Sequence, residues 1–230
     1  MFTVALVGAD GAGKTTIGRA LSRSLPFPAV YIYMGANLEA STVMLPSTWL
    51  IMVLRRWRRA PSGPTPPPSY AADHARSRGP LRRFLAAIKQ TLRLGYLLLE
   101  ETYRLAIASW HRRRGRVVIF DRHVFADYYA SDVTAHPGRP FLRRLHGAVL
   151  TRYPRPDLTI CLDAPAPVLW ARKREGELAW VEQRRTDYLR LREVVPNFAI
   201  VDAAQPAAAV LDQVVAAISA HREKEWRARP

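Results

Sequence analysis

Gly8-Ala9-Asp10-Gly11-Ala12-Gly13-Lys14-Thr15 is the stretch on which the reading of this 230-residue chain turns. It satisfies G-x-x-x-x-G-K-[ST] at every position. Before it, Phe2 to Val7 is an apolar run with β-branched residues, as a buried parallel strand requires. After it, Thr16 to Leu25 sets Ile17, Ala20, Leu21 and Leu25 on one helical face, and Pro26 ends the helix. A glycine-rich loop between strand and helix turns successive backbone N–H groups toward phosphate oxygens, and the helix N-terminus adds partial positive charge. In that arrangement Lys14 neutralises the β- and γ-phosphates of ATP and the Thr15 hydroxyl ligates Mg²⁺. Asp10, Gly11, Ala12, Gly13 and Thr16 complete the predicted nucleotide-binding stretch.

Working outward, four further short apolar runs read as strands: Ala29 to Tyr33, Arg116 to Phe120, Leu158 to Leu162 and Phe198 to Val201. Helical material separates them, which is the rhythm of βαβ units. The last helix is expected from about Pro206 to His221, with Val210, Leu211, Val214, Val215 and Ile218 on one stripe. The expected fold class is α/β: a five-stranded parallel sheet flanked by helices, in one domain spanning 1–230. An insertion over 41–80 departs from the rhythm. It holds an apolar stretch from Val43 to Leu54, the run RRWRR at Arg55 to Arg59, and a Pro-rich loop through Pro68. Pro80 to Arg114 is a long helical region, expected to be interrupted near Gly95.

Asp121-Arg122-His123 closes the third strand. An acidic residue at the carboxyl end of a strand beside the loop is placed to hold Mg²⁺ or accept a hydroxyl proton, and an adjacent Arg to clamp a second phosphate. Thr15 and Asp121 are therefore the candidate metal ligands. His123 reads as a packing residue.

Composition narrows the classes. The chain is 49% hydrophobic and 23% charged, which is a globular balance. No stretch reaches the roughly 18 apolar residues a membrane-spanning helix needs. The N-terminus has no basic region ahead of an apolar run, so no secretory signal is expected. A single cysteine, Cys161, fits a reducing, cytoplasmic location. The net charge is +16, and 31 of the 35 cations are Arg. Such a field attracts nucleotides, nucleic acid and anionic membranes alike. No helix-turn-helix, RNA-recognition or zinc pattern occurs, so no specific nucleic-acid partner is expected.

The loop GADGAGKTT (Gly8 to Thr16) and the pair Asp121-Arg122 resemble blocks of the thymidylate kinases and their relatives among the P-loop nucleotide kinases. PDLTICLDAPAPVLWARKREGE (Pro156 to Glu177) is similar to that family's fourth strand and lid, and QRRTDYLRL and FAIVDAAQP follow in the family's order. The resemblance implies a P-loop NTPase fold, ATP and Mg²⁺ as cofactors, and transfer of a phosphoryl group to a nucleoside monophosphate such as dTMP. It also implies a lid over 171–182 whose Arg172 and Arg174 close on the transferring group, with Lys14, Asp121 and Arg122 as the other catalytic residues. Arg184 and Arg185 read chiefly as a solvated helix face. Thymidylate kinases are often dimers, so a homodimer is a further implication.

The acceptor side departs from the family. Met34-Gly35-Ala36-Asn37-Leu38-Glu39 stands where those kinases carry Arg-Glu-Pro-Gly, and VFADYYASD follows the Asp-Arg pair without the base-reading Gln. Asn37, Glu39, Arg76, Arg78, Asp127, Tyr128 and Tyr129 are the residues that remain to line an acceptor pocket. Two alternatives stay open: a kinase for a sugar or lipid-linked hydroxyl, and a nucleotide-binding regulator at a membrane surface. Trp49, Leu50, Ile51, Val53, Leu54 and Trp57, interleaved with Arg, fit either an interfacial helix with basic ends or an internal helix. Peripheral membrane contact would run through 43–59.

Overall fold

The computed structural model describes residues 1–35, 41, 43–58, 80–128, 149, 152–174 and 176–227. In chain order these form β1 (Thr3–Val7), α1 (Lys14–Ser24), β2 (Ala29–Tyr33), α2 (Pro46–Arg58), α3 (Pro80–Arg113), β3 (Val117–Asp121), α4 (Val124–Tyr128) and β4 (Leu158–Asp163). There follow α5 (Ala166–Lys173), α6 (Leu178–Leu189), a 3₁₀ turn (Arg190–Glu193), β5 (Phe198–Asp202) and α7 (Ala207–Arg227).

The five strands pair in the order β2-β3-β1-β4-β5, every pair parallel. Val118 and Ile119 point to opposite faces of β3, and both are fully buried, so helices cover the sheet on both sides. Burial falls off toward β5, where Ile200 is half exposed. Sequence order reverses across the central strand β1, and the register brings Leu6, Tyr33 and Asp121 to one level at the carboxyl edge. That edge, at the switch point of an open parallel sheet, is where such folds bind ligands. At the opposite end, the Asp157 carboxylate accepts from the backbone N and the hydroxyl of Thr3 at 2.7 and 2.8 Å, pinning β1 to the approach of β4.

Two expectations are corrected. Helix α3 runs unbroken through Gly95, whose position is exposed with no atom near enough to meet an added Cβ. A single exposed glycine costs about 1 kcal/mol of helix propensity, which a helix of 34 residues packed on the sheet absorbs. The last helix continues past His221 to Arg227. There Glu223 and Arg227 lie i, i+4 on an exposed face, so the helix outlasts its apolar stripe. The Pro-rich loop lies outside the described residues.

A buried polar network ties α2 to α3. The Arg104 guanidinium donates to Glu100 Oε1 at 3.1 Å, to the Val43 carbonyl at 3.1 Å and to the Gly35 carbonyl at 3.2 Å. Glu100 also accepts from Thr48 Oγ1 at 2.8 Å and from the Leu45 amide. Thr48 and Tyr96 share a further hydroxyl–hydroxyl bond. Each charge is paired several times over, as burial demands.

Gly18 sits inside α1 for a steric reason: a Cβ there would meet Tyr31 Cε2 at 2.6 Å. Glycine to alanine in a helix ordinarily stabilises by about 1 kcal/mol. Gly18→Ala is expected to do the opposite, destabilising by about 1–3 kcal/mol. Truncation of the ring in Gly18→Ala/Tyr31→Ala should recover part of that loss relative to Tyr31→Ala alone. Urea unfolding of the four proteins as a double-mutant cycle checks it.

Candidate functional site

The loop between β1 and α1 is shaped by what stands behind it. Gly8 (φ 139°) and Gly11 (φ 88°) both take left-handed conformations, and a side chain at either would collide with a backbone carbonyl oxygen, Leu162 for the first and Leu169 for the second. The loop therefore lies directly against β4 and α5. Gly13 caps α1 with φ 83° and no side-chain hydrogen bond, and the first turn of α1 carries no acid. The cap residue therefore offers no side-chain acceptor to the opening N–H groups of the helix.

Lys14, the first residue of α1, is 95% buried (5% exposed). Its ammonium turns back over the loop and donates to the Gly8 carbonyl at 2.7 Å and the Ala9 carbonyl at 2.8 Å. Thr15, one residue on, donates from Oγ1 to Asp121 Oδ2 at 2.6 Å. Ala12 is buried and Thr16 is exposed.

Asp121 is fully buried at the end of β3. Its Oδ2 takes a second hydroxyl proton, from Tyr31 at 2.7 Å. Its Oδ1 has no hydrogen-bond partner among the described residues. Burial, and then the bond to Asp121, push the Tyr31 hydroxyl well above its usual range, so it stays protonated as a donor. Arg122 follows in the left-handed region, at φ 64°, which turns the chain out of the strand. Its Nη2 donates to Asp10 Oδ1 at 2.6 Å. Lys173 Nζ, at the end of α5, stands 3.6 Å from the same oxygen. Burial works to raise the Asp10 pKa, but Arg122, Lys14 and Lys173 together overcome it and hold the carboxyl down at about 2. His123 is buried and kept neutral, its pKa lowered by burial to about 4. Its Nδ1 faces the Phe125 amide at 3.3 Å and its ring stands edge-on to Phe120, as expected of a packing residue.

The structure thus brings together Asp10, Lys14, Thr15, Asp121 and Arg122. Arg172 lies elsewhere: its guanidinium donates to the Ala203 carbonyl at 2.7 Å, on the turn after β5. Arg174 is exposed and caps α5 in the left-handed region, at φ 51°. Lys173, between them, is the cation that reaches the loop. Arg185 is not a solvated cation: it grips Asp163, at the end of β4, through Nε at 2.7 Å and Nη2 at 2.9 Å. Asp127 and Tyr128 fall within α4, while Asn37, Glu39, Arg76, Arg78 and Tyr129 lie outside the described residues.

Sequence reasoning passed over Tyr31, Lys173 and the Asp163–Arg185 pair. Tyr31 carried a sign of its role, since a tyrosine inside a buried aliphatic strand needs a partner for its hydroxyl. Nothing in the run RKR distinguishes Lys173 from its neighbours.

The chain matches no protein-family model and no curated protein.

Stability should fall over two separate intervals as the pH is lowered. Unfolded histidine takes up a proton near 6.5 whereas folded His123 resists to about 4, so stability falls as pH drops through that interval. Asp10 titrates lower folded than unfolded, so its contribution is complete above about pH 4 and is lost as pH falls toward about 2. That second loss is on the order of 2 kcal/mol. Denaturant unfolding across pH should show Asp10→Asn removing the lower interval and sparing the upper one.

Proposed function

We propose that this chain is a P-loop phosphotransferase that moves a phosphoryl group from Mg²⁺-ATP to a small acceptor bearing a phosphate, a nucleoside monophosphate of the dTMP kind. The observation that carries the reading is the meeting of Lys14, Thr15 and Asp121 at the carboxyl edge of a parallel sheet, behind a loop in which Gly8 and Gly11 admit no side chain.

The residues fit the groups they would hold. The unpartnered Asp121 Oδ1, beside the Thr15 hydroxyl, is the oxygen a hard cation would engage. Among the described residues no cluster of three or more His, Cys, Asp or Glu offers a self-contained metal cage. That suits Mg²⁺, which is held by one or two protein oxygens, water and the phosphates themselves. Bound ATP supplies the phosphoryl group, and the ion supplies charge neutralisation.

The chain's own residues do the rest. The N–H groups of the loop and of the first turn of α1 cradle phosphate oxygens. Lys14 exchanges two carbonyl partners for phosphate oxygens, a trade of neutral acceptors for charged ones. Tyr31 holds the Asp121 carboxylate in place from β2, so that the oxygen facing the cation needs no reorganisation.

A phosphate acceptor calls for Arg122 and at least one further inward cation, whereas a hydroxyl acceptor calls for a carboxylate within hydrogen-bond reach of it. Arg122 and Lys173 both converge on Asp10, which favours the phosphate. On binding, the acceptor phosphate would share these cations with Asp10.

Lys14→Ala should abolish Mg²⁺-dependent ATP turnover, and Arg122→Ala should lower it by roughly 10³-fold or more, the scale of arginines that bridge transferring phosphates. Coupled ATP-consumption assays against nucleoside monophosphates, nucleosides and sugars check both. Full activity in Lys14→Ala would overturn the donor assignment, and a response to a sugar but to no monophosphate would overturn the acceptor.

A further inference from the structure

Helix α2 has two unlike sides. On one, Thr48 is buried against α3 through Glu100 and Tyr96. Turned away from that contact, Trp49 is 57% exposed, Leu50 51% and Leu54 44%. Large apolar groups so exposed on a single helix face mark an interaction surface. Helix α3 continues the theme, with Ile88, Leu92 and Leu99 exposed at spacings that share one helical stripe.

The charge in this region is one-sided. Helix α2 contributes Arg55, Arg56 and Arg58 and no acid. The part of α3 before Glu100 contributes Arg82, Arg83, Lys89 and Arg93, again with no acid. The first carboxylate, Glu100, is buried and paired with Arg104. By contrast α7 mixes Asp212, Glu223 and Glu225 with Arg222, Lys224 and Arg227. The excess of cations is therefore concentrated in the same helices that expose apolar side chains.

We infer that α2 and the adjoining stripe of α3 dock this protein on an anionic lipid surface. Trp49, Leu50 and Leu54 enter the interfacial layer, and the net positive charge that the sequences of the two helices carry favours an anionic surface. Three other occupancies fit less well. A second copy would bring two positively charged helix segments together, with no acid in α2 or in α3 before Glu100 to offset them. Nucleic acid would answer the charge but leave exposed leucines unused. Among the described residues no helix is long and apolar enough to cross a membrane, so contact lies in the plane of the surface. This surface is independent of the nucleotide reading and stands or falls without it.

The test is co-sedimentation of the full chain with vesicles of phosphatidylcholine alone, or mixed in equal parts with phosphatidylglycerol. Pelleting is expected with the anionic vesicles only, and it should weaken as salt is raised. Trp49→Ser/Leu50→Ser/Leu54→Ser should weaken it by roughly tenfold or more. Trp226→Ser, which alters a still more exposed tryptophan on α7, should leave it unchanged. The altered side chains are exposed, so unfolding curves should match the parent; should the triple variant unfold, Trp49→Ser alone takes its place. No pelleting with anionic vesicles, or equal pelleting of the variant, would overturn the inference. So would an outcome without vesicle binding in which the variant abolishes either self-association or duplex DNA binding; the face would then belong to a second copy or to nucleic acid.

Discussion

The Asp121 carboxylate is the constraint on which this site depends. It is fully buried at the end of β3, and its Oδ2 receives one hydroxyl from α1 and another from β2. Those two bonds join three separate chain segments at one oxygen. A buried carboxylate left without donors is expensive, so Thr15 and Tyr31 cannot drift without exposing that cost. Tyr31 in turn needs room for its ring against α1, which is why residue 18 of that helix is glycine. The second oxygen, Oδ1, is buried with no hydrogen-bond partner among the described residues, so its acceptor capacity is unmet.

Electrostatics around Asp10 make a second centre. Arg122 comes from the residue after β3, Lys173 from α5 and Lys14 from α1, and each is attracted to this one carboxylate. The arrangement holds three cations near one another without letting their repulsion open the edge of the sheet. An anion entering the loop would find the positive charge already assembled. In the proposed reaction this is the preorganisation that phosphoryl transfer needs most, because there is little covalent chemistry for the protein to perform.

Away from the site, the Glu100–Arg104 pair and the exposed face of α2 are two sides of one design. The pair and Thr48 anchor the buried side of α2 to α3. With that side secured, the outer side is free to carry tryptophan and leucine without loosening the helix. The inferred lipid surface thus rests on a helix hydrogen-bonded to α3 rather than on a loop.

Much of this was legible in the sequence. The strands lay where short apolar runs predicted them, because burial on both faces of a parallel sheet demands such runs. The loop was legible because its glycines and Lys14 are adjacent in the chain, and Asp121 because it ends a strand. Gly95 misled, since propensity counts a glycine against a helix while packing over the remaining turns outweighs it. The partners of the arginines were not legible. With 31 of them, any could reach an acid, and their long side chains let sequence neighbours point to different places. Arg172 and Lys173 are adjacent, yet one turns to the carbonyl of Ala203 and the other to Asp10. Sequence by itself determined the alternation of elements and the glycine-rich loop between β1 and α1, which depend on short-range periodicity and local backbone freedom. Only the tertiary structure decided which charges meet, because those pairings join residues as distant as Asp10 and Arg122, and they exist only once the sheet aligns its carboxyl ends.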